Sequence, residues 1–518
     1  MPSPDVRRDE IRSLTNVSAA PRELCGRPLM VDRGGRLALG EPCAVEIRDG
    51  RIARCRAVAE AGEATLGAPD AVLAPGWIDS HIHLLACAAD RAGVGLSGSR
   101  PRHLAELLDR IAVASRDLPT HAWVRISGHD ESWLAERRHP TRVELDSAGG
   151  GRPVRLRHAT RHASILSSSA WRALAESSPD LPAERAPRDA TGEPLGVAFG
   201  LEREITAAAG PIAPQALAEG LAAASDDLLA CGVVALDEMS GANDAARVAV
   251  LAEAIASGRL RQDVRVFLGD ADELDAARAA SAGRVVIAGV KLLPRDAAEI
   301  ATARFARALE RARMRGLPVA VHAVEADAVD AAIDALAAAP PRAGGEGGPD
   351  RIEHASLCPP ELARRLAAAR IAVVTQPAFL FARGDKYREE VEAVLWPWLY
   401  PLATLRAAGV LLVGSSDAPV ATADPRVAMA AATARTSASG TVLGDAERID
   451  EAAAFALYTS APRALRGESP GGSWLDVGRC ADLLVLDGDP RGGRWRDVAV
   501  RFAVVAGESD RACGWTSP

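Results

Sequence analysis

No Cys-x-x-Cys pair occurs in the chain, and its eight cysteines, at positions 25, 43, 55, 87, 231, 358, 480 and 513, are widely spaced. That excludes a zinc ribbon and a small disulfide scaffold and implies reduced, mostly buried thiols. An excess of positive charge is equally lacking. The net charge is -8 and the pI is near 5.8, with Lys and Arg scattered singly through Ala-rich segments. Without a basic stripe, nucleic acid is excluded as a partner. No run reaches the roughly 18 apolar residues of a membrane span, and Met1 to Arg8 is polar with no apolar signal core. No membrane partner is expected, and the expected location is cytoplasmic. No Gly-rich phosphate loop stands out.

What the chain does contain is length and alternation. Its 518 residues suffice for a barrel and an accessory unit. Short apolar segments end near Asp79, Asp237, Leu268, Leu292, His322, His354, Gln376 and Ser416, the first of them Ala71 to Asp79. Eight such strands alternating with helices close a parallel (β/α)8 barrel of TIM type, an α/β fold. Helical apolar spacing covers 214–230, 298–315, 361–369 and 398–408, and 441–464 is Ala-rich and helical in pattern. Before the barrel, 27–32, 44–48 and 51–56 read as strands, with an Asp49-Gly50 hairpin turn; after it, 481–487 and 498–506 do the same. The expected division is residues 1–70 and 466–518 as two parts of one β-sandwich, with 71–465 as the barrel. Residues 84–210 break the alternation and form an insertion expected over the barrel mouth, with strands at 123–127 and 153–157. The Pro- and Gly-rich stretch 340–349 reads as a flexible connector.

The chemistry lies at the strand ends. His81 and His83 follow strand one and share a face, Lys291 sits on strand four, His322 ends strand five, His354 ends strand six and Asp417 follows strand eight. In a parallel barrel these ends converge on one rim. Four imidazoles and a carboxylate suit zinc-like cations, whereas an ammonium does not ligate. Lys291 would therefore be neutral and carbamylated, its new oxygens bridging two metal ions.

The segments Ala74-Pro-Gly-Trp-Ile-Asp-Ser-His-Ile-His83, Gly128-His-Asp-Glu131, Gly289-Val-Lys291, Arg351-Ile-Glu-His-Ala355, Gly414-Ser-Ser-Asp-Ala-Pro419 and Ala481-Asp-Leu-Leu-Val-Leu486 resemble the amidohydrolase superfamily, and within it amidohydrolase family 3. The resemblance covers nearly the whole chain. It implies a distorted barrel with a composite β-sandwich, a divalent metal centre of His81, His83, Lys291, His322, His354 and Asp417, and hydrolysis of a C-N bond in an amide or N-acyl or N-formyl small molecule. Metal-activated hydroxide would attack the carbonyl, with Asp417 as general base and then general acid. His162 matches the family's usual Gly-His position and joins Asp417 and Lys291 in the expected catalytic set. His162, His129, Asp130, Glu131, Glu325 and Phe379 are the expected substrate contacts.

Two departures from the family pattern open alternatives. After His322 the chain has Ala-Val-Glu325 where the family usually shows Ala-Ile-Gly, which resembles the His-x-x-Glu of mononuclear deaminases. A deaminase of an amino-heterocycle, with one metal ion and Glu325 as proton shuttle, is the runner-up. His129 stands where the family is usually aromatic. A non-catalytic, metal-dependent binding or regulatory role, with the sandwich as the interface of a homo-oligomer, is the alternative of another class. His103, His121, His139 and His158 read as surface or structural. Phe379, Phe381, Tyr387, Trp396, Trp398 and Tyr400, clustered after strand seven, could wall an apolar pocket or pack that segment onto the barrel.

Overall fold

Eight β-strands pair in parallel, in chain order, around one sheet: β1 (Trp77–Ile82), β2 (Val233–Glu238), β3 (Asp263–Leu268), β4 (Val285–Leu292), β5 (Val319–Ala323), β6 (Arg351–His354), β7 (Ala372–Thr375) and β8 (Leu412–Gly414). These come from a computed structural model that describes residues 22–58, 65–96, 100–344, 348–468 and 473–505. Nearly every residue of these strands is buried, the pattern of a sheet covered on both faces. The Asp417 amide donates to the His81 carbonyl at 2.7 Å and the His83 amide to the Ala418 carbonyl at 2.9 Å, so the segment after β8 meets β1 and closes the barrel. The fold is a (β/α)8 barrel with additional sheets.

Two compact units emerge, one made of the chain up to His83 together with the chain from Ser225 onward, the other of Leu84–Ala224. In the first, described segments that precede and follow the barrel enter a single connected seven-stranded sheet. Strand Leu483–Asp487 lies antiparallel to Thr65–Pro75 on one side and to Ala499–Val504 on the other. Asp49 and Gly50 turn the Cys43–Arg48 and Arg51–Ala57 hairpin with φ of 49° and 72°, both left-handed, as a two-residue hairpin turn of this kind requires. Residue 506, the last of the expected final strand, and 345–347 of the expected connector lie outside the described residues.

Several local expectations need correction. The segment Ala71 to Asp79 is not one strand. Thr65–Pro75 belongs to the seven-stranded sheet and Trp77–Ile82 to the barrel, with Gly76 at the change of sheet. A Cβ at Gly76 would sit 2.3 Å from Val234 Cγ2, so only glycine fits this close passage. The helix expected over 298–315 is two, Ala297–Ile300 and Ala303–Met314. Thr302 caps the second by accepting the Phe305 amide proton. The helix expected over 398–408 starts only at Leu402. Residues 441–464 hold a turn and two short helices, Glu451–Ala456 and Ser460–Leu465, the first capped by Asp450. Local Asp and Thr side chains compete there with continuous helix. Six of the described cysteines are reduced thiols; Cys25 and Cys358 are buried, Cys43, Cys87 and Cys231 half-buried and Cys55 exposed, so the thiols are less buried than expected. Among the described residues no helix is long and apolar enough to cross a membrane.

The Leu84–Ala224 unit is built on a five-stranded sheet, in which the two expected strands, observed as Val124–His129 and Val154–His158, are joined by Val94–Gly95, Ala163–Leu166 and Val197–Phe199. It carries its own cores, one of them around Leu107, Ile111, Val124, Ile126 and Leu156.

An ionic cluster is buried inside the barrel. Arg351 on β6 is 2% exposed; it donates from Nη1 to Asp237 Oδ2 at 2.8 Å and from Nη2 to the Ser80 carbonyl at 3.0 Å, and its guanidinium lies 4.2 Å above the Phe267 ring. Truncating one member of such a buried pair strands the other charge away from water. Arg351→Met is expected to lower unfolding free energy by about 3 to 5 kcal/mol in urea titrations.

Candidate metal centre

The first-strand pair arises from simple pleat geometry. His81 and His83 are two residues apart, so both rings face the same side, with centroids 5.3 Å apart. Asp417 reaches them from the end of β8: its Oδ1 is 3.0 Å from His83 Nε2 and 3.5 Å from His81 Nε2. Both contacts fall off the line of a hydrogen bond and leave that oxygen without a partner, the arrangement of atoms converging on a common cation. Asp417 has φ of 54°, a left-handed backbone that a non-glycine residue adopts at a cost. It is held there by its amide bond to the His81 carbonyl and by Ser416, whose amide donates to Asp79 Oδ1 at 3.0 Å.

A second pair faces the first. His322 and His354 have ring centroids 4.6 Å apart, and His354 lies 5.1 Å from His81. Adjacent strand residues ordinarily point to opposite faces, yet Glu353 and His354 both turn toward these rings. The left-handed φ of 75° at His354 breaks the alternation. Glu353 Oε2 meets His81 Nδ1 at 2.5 Å and Gln376 Oε1 meets His354 Nδ1 at 2.8 Å, while Gln376 Nε2 donates to Ser415 Oγ at 2.9 Å. Fixing each Nδ1 leaves each Nε2 as a lone pair for a metal. His83 Nδ1 has Ser240 Oγ at 3.3 Å in the same role.

Lys291 is 2% exposed, and its amino group has no hydrogen-bond partner. Burial lowers it to about 8, opposed by Glu353 and reinforced by Arg351. Its charge is felt by His81, His322 and His354 alike, so it neighbours both halves of the cluster. A neutral amine is within reach at physiological pH. For Asp417, burial works to raise the carboxyl, but the surrounding His83, His81 and His354 hold it well below the usual range. His81 and His354 are lowered first by burial and His322, by the same cause, to about 2. The imidazoles are thus neutral, the form that ligates.

The same shifts give the metal-free protein a pH signature. An unfolded chain binds protons at these histidines below about pH 6.5 while the folded chain does not, so their contribution is present above that pH and is lost as pH falls. Asp79, raised to about 7 by burial, opposes this because the folded state holds its proton. The variant comparison isolates one group: metal-free His322→Gln should lose stability less steeply than wild type, by about 0.7 kcal/mol per pH unit at about pH 6.5, rising toward about 1.4 at about pH 5. Equal slopes in chemical denaturation would contradict it.

Within the barrel unit, Glu325 and Phe379 make no hydrogen bond or ion pair with the cluster. Glu325 is exposed, opens the helix Ala326–Ala338 and makes no side-chain capping bond, a position where the helix dipole favours an acid. Phe379 is 7% exposed and packs with Leu357, Leu380, Leu399, Tyr400 and Leu443. Tyr387 and Tyr400 bond to each other through their hydroxyls at 2.9 Å. His162, exposed, together with His129, Asp130 and Glu131, belongs to the Leu84–Ala224 unit. Sequence reasoning misses Glu353, Gln376 and Ser240. Glu353 is signalled by its place in Arg351-Ile-Glu-His354 and Gln376 by its place at the end of β7; for Ser240 no signal exists.

The amidohydrolase family model matches residues 66–498. N-substituted formamide deformylase of Arthrobacter pascens is 26% identical over 533 residues, spanning 94% of this chain and 95% of that protein. Putative amidohydrolase YtcJ of Bacillus subtilis (strain 168) is 26% identical over 456 residues, 81% of this chain and 84% of that one. Among solved structures, an uncharacterized metal-dependent hydrolase from Pyrococcus horikoshii OT3 superposes with a TM-score of 0.68 at 22% identity, covering 92% of this chain and 99% of that one. A match that runs through all eight barrel strands, and contains all six side chains gathered at their ends, means that this chain belongs to the amidohydrolase family.

Proposed function

We propose that this chain hydrolyses a C-N bond of an amide, in an N-acyl or N-formyl small molecule, at a centre of two zinc-type divalent ions. His81, His83 and Asp417 would hold one ion, His322 and His354 the other, and carbamylated Lys291 would serve both. The observation that carries the reading is Lys291 itself: an amino group buried among imidazoles with no partner, lowered toward neutrality. An unpaired buried ammonium is costly, and conversion to a carbamate changes it from a misplaced cation into an anionic ligand. The donor set fits borderline cations that accept nitrogen and oxygen. When bound, such ions polarise a carbonyl oxygen and bring the pKa of water to about 7.

The chain's own groups supply the rest. Asp417 takes the proton of the attacking water and hands it to the departing nitrogen, which otherwise leaves as a poor anion. Glu353 and Gln376 keep His81 and His354 in the tautomer that points Nε2 inward. His162 is the proposed substrate contact. The test is product analysis with panels of N-formyl and N-acyl amines and of amino-heterocycles. Equimolar amine and carboxylate from the first panel is the expected result. Ammonia from the second panel alone would overturn the reading in favour of deamination.

A further inference from the structure

His139 and His158, which the sequence leaves as surface or structural, come together with His129 and Glu131. His129 and His158 end neighbouring strands and stand opposite each other in register. Glu131 follows in the short turn Glu131–Trp133, and His139 lies in the loop before the helix Arg142–Ala148. All four belong to the Leu84–Ala224 unit and share no side chain with the barrel cluster.

Three donor atoms are spaced as ligands, those of His129, Glu131 and His139, which all lie within 4.8 Å of one another. His129 Nε2 is 3.1 Å from His139 Nδ1, His139 Nδ1 is 3.4 Å from Glu131 Oε2, and Glu131 Oε2 is 3.1 Å from His158 Nε2. Donors about 2.0 to 2.1 Å from one tetrahedral ion stand about 3.3 Å apart. Proton counting favours the ion over a plain hydrogen-bond network. His139 Nδ1 faces both His129 and Glu131; protonated, it can serve only one of them well, and deprotonated, it sets a lone pair against the carboxylate. His158 is already engaged: its Nδ1 accepts from the Thr160 amide at 3.2 Å and faces Thr160 Oγ1 at 2.8 Å, so its Nε2 carries the proton that it donates to Glu131 Oε2, holding that carboxylate in place. Asp130 Oδ1 accepts from the Ser132 amide at 2.9 Å and from its hydroxyl at 2.5 Å, which fixes the turn that presents Glu131.

We propose that His129, Glu131 and His139 form a further zinc-type metal site, one that ties the loop carrying His139 to the strand end at His129. This gives His129 and Glu131 a ligand's task in place of the substrate contact the sequence implies. Two imidazoles and one carboxylate would leave the fourth tetrahedral position to water, and the ion would act as a cross-link for the unit.

The full chain, loaded with zinc and dialysed, is compared with His129→Gln and His139→Gln by elemental analysis. Each variant should hold one zinc fewer than wild type and lose about one cobalt(II) equivalent of intense tetrahedral visible absorption. Lys291→Met should keep that zinc, which separates this site from the barrel centre. Should either histidine variant fail to fold, Glu131→Gln gives the same comparison. Equal zinc in wild type and the folded variants would overturn the proposal.

Discussion

Lys291→Met is expected to lose both barrel cations and at least about a thousandfold in kcat/KM, while its metal-free form is no less stable than metal-free wild type. The first half follows from the loss of the only group that can serve both ions. Lewis-acid stabilisation of the reacting carbonyl is worth several kcal/mol, and about 4 kcal/mol corresponds to a thousandfold. The second half follows from burial. The amino group is 2% exposed with no partner, so in the metal-free chain it is a polar group withdrawn from water without compensation. Methionine of similar length removes that cost. A gain in melting temperature alongside lost activity would identify Lys291 as a residue kept for function. Lys291→Arg should be as inactive as Lys291→Met, because a guanidinium stays protonated and forms no carbamate. Retained metal and activity in Lys291→Met would contradict the proposed centre.

Asp417→Asn is expected to fold and to keep a substantial share of its metal, yet to lower kcat by about 10² to 10⁴, the range of general acid-base catalysis. Asparagine keeps the shape and an oxygen donor but cannot accept a proton. Because surrounding imidazoles hold the Asp417 carboxyl well below the usual range, wild-type activity should show no titration of this group at neutral pH. A variant that turned over normally would favour a binding role for the barrel. Loss of metal equal to that in Lys291→Met would make Asp417 purely a ligand.

Much of this site is legible in the amino-acid sequence because strand periodicity and strand ends are local properties. His81 and His83 share a face by spacing alone, and the eight apolar segments are short and bounded by polar residues. Composition sharpens the case for Lys291: of 61 Lys and Arg residues only Lys291 and Lys386 are lysines, so a lysine within an apolar strand departs from the chain's strong use of arginine. The change of sheet at Gly76 is not legible, because it depends on Val234, far off in sequence. The partners of the histidines are set by register between strands, which places Glu353 beside His322 and brings it to His81. The insertion is the least legible part. Its histidines at 129, 139 and 158 meet through the pairing of two strands and the path of one loop, and no fixed spacing announces that. Phe379 is likewise undecided by sequence, since an aromatic cluster after a strand reads the same whether it lines a pocket or fills a core.

The most direct test is anomalous diffraction at the zinc edge from crystals of the zinc-loaded chain grown with bicarbonate. The account predicts two peaks among the barrel side chains, one beside His81, His83 and Asp417 and one beside His322 and His354, with density for a carbamate continuing past Lys291 Nζ. A single barrel peak beside an unmodified lysine would contradict it.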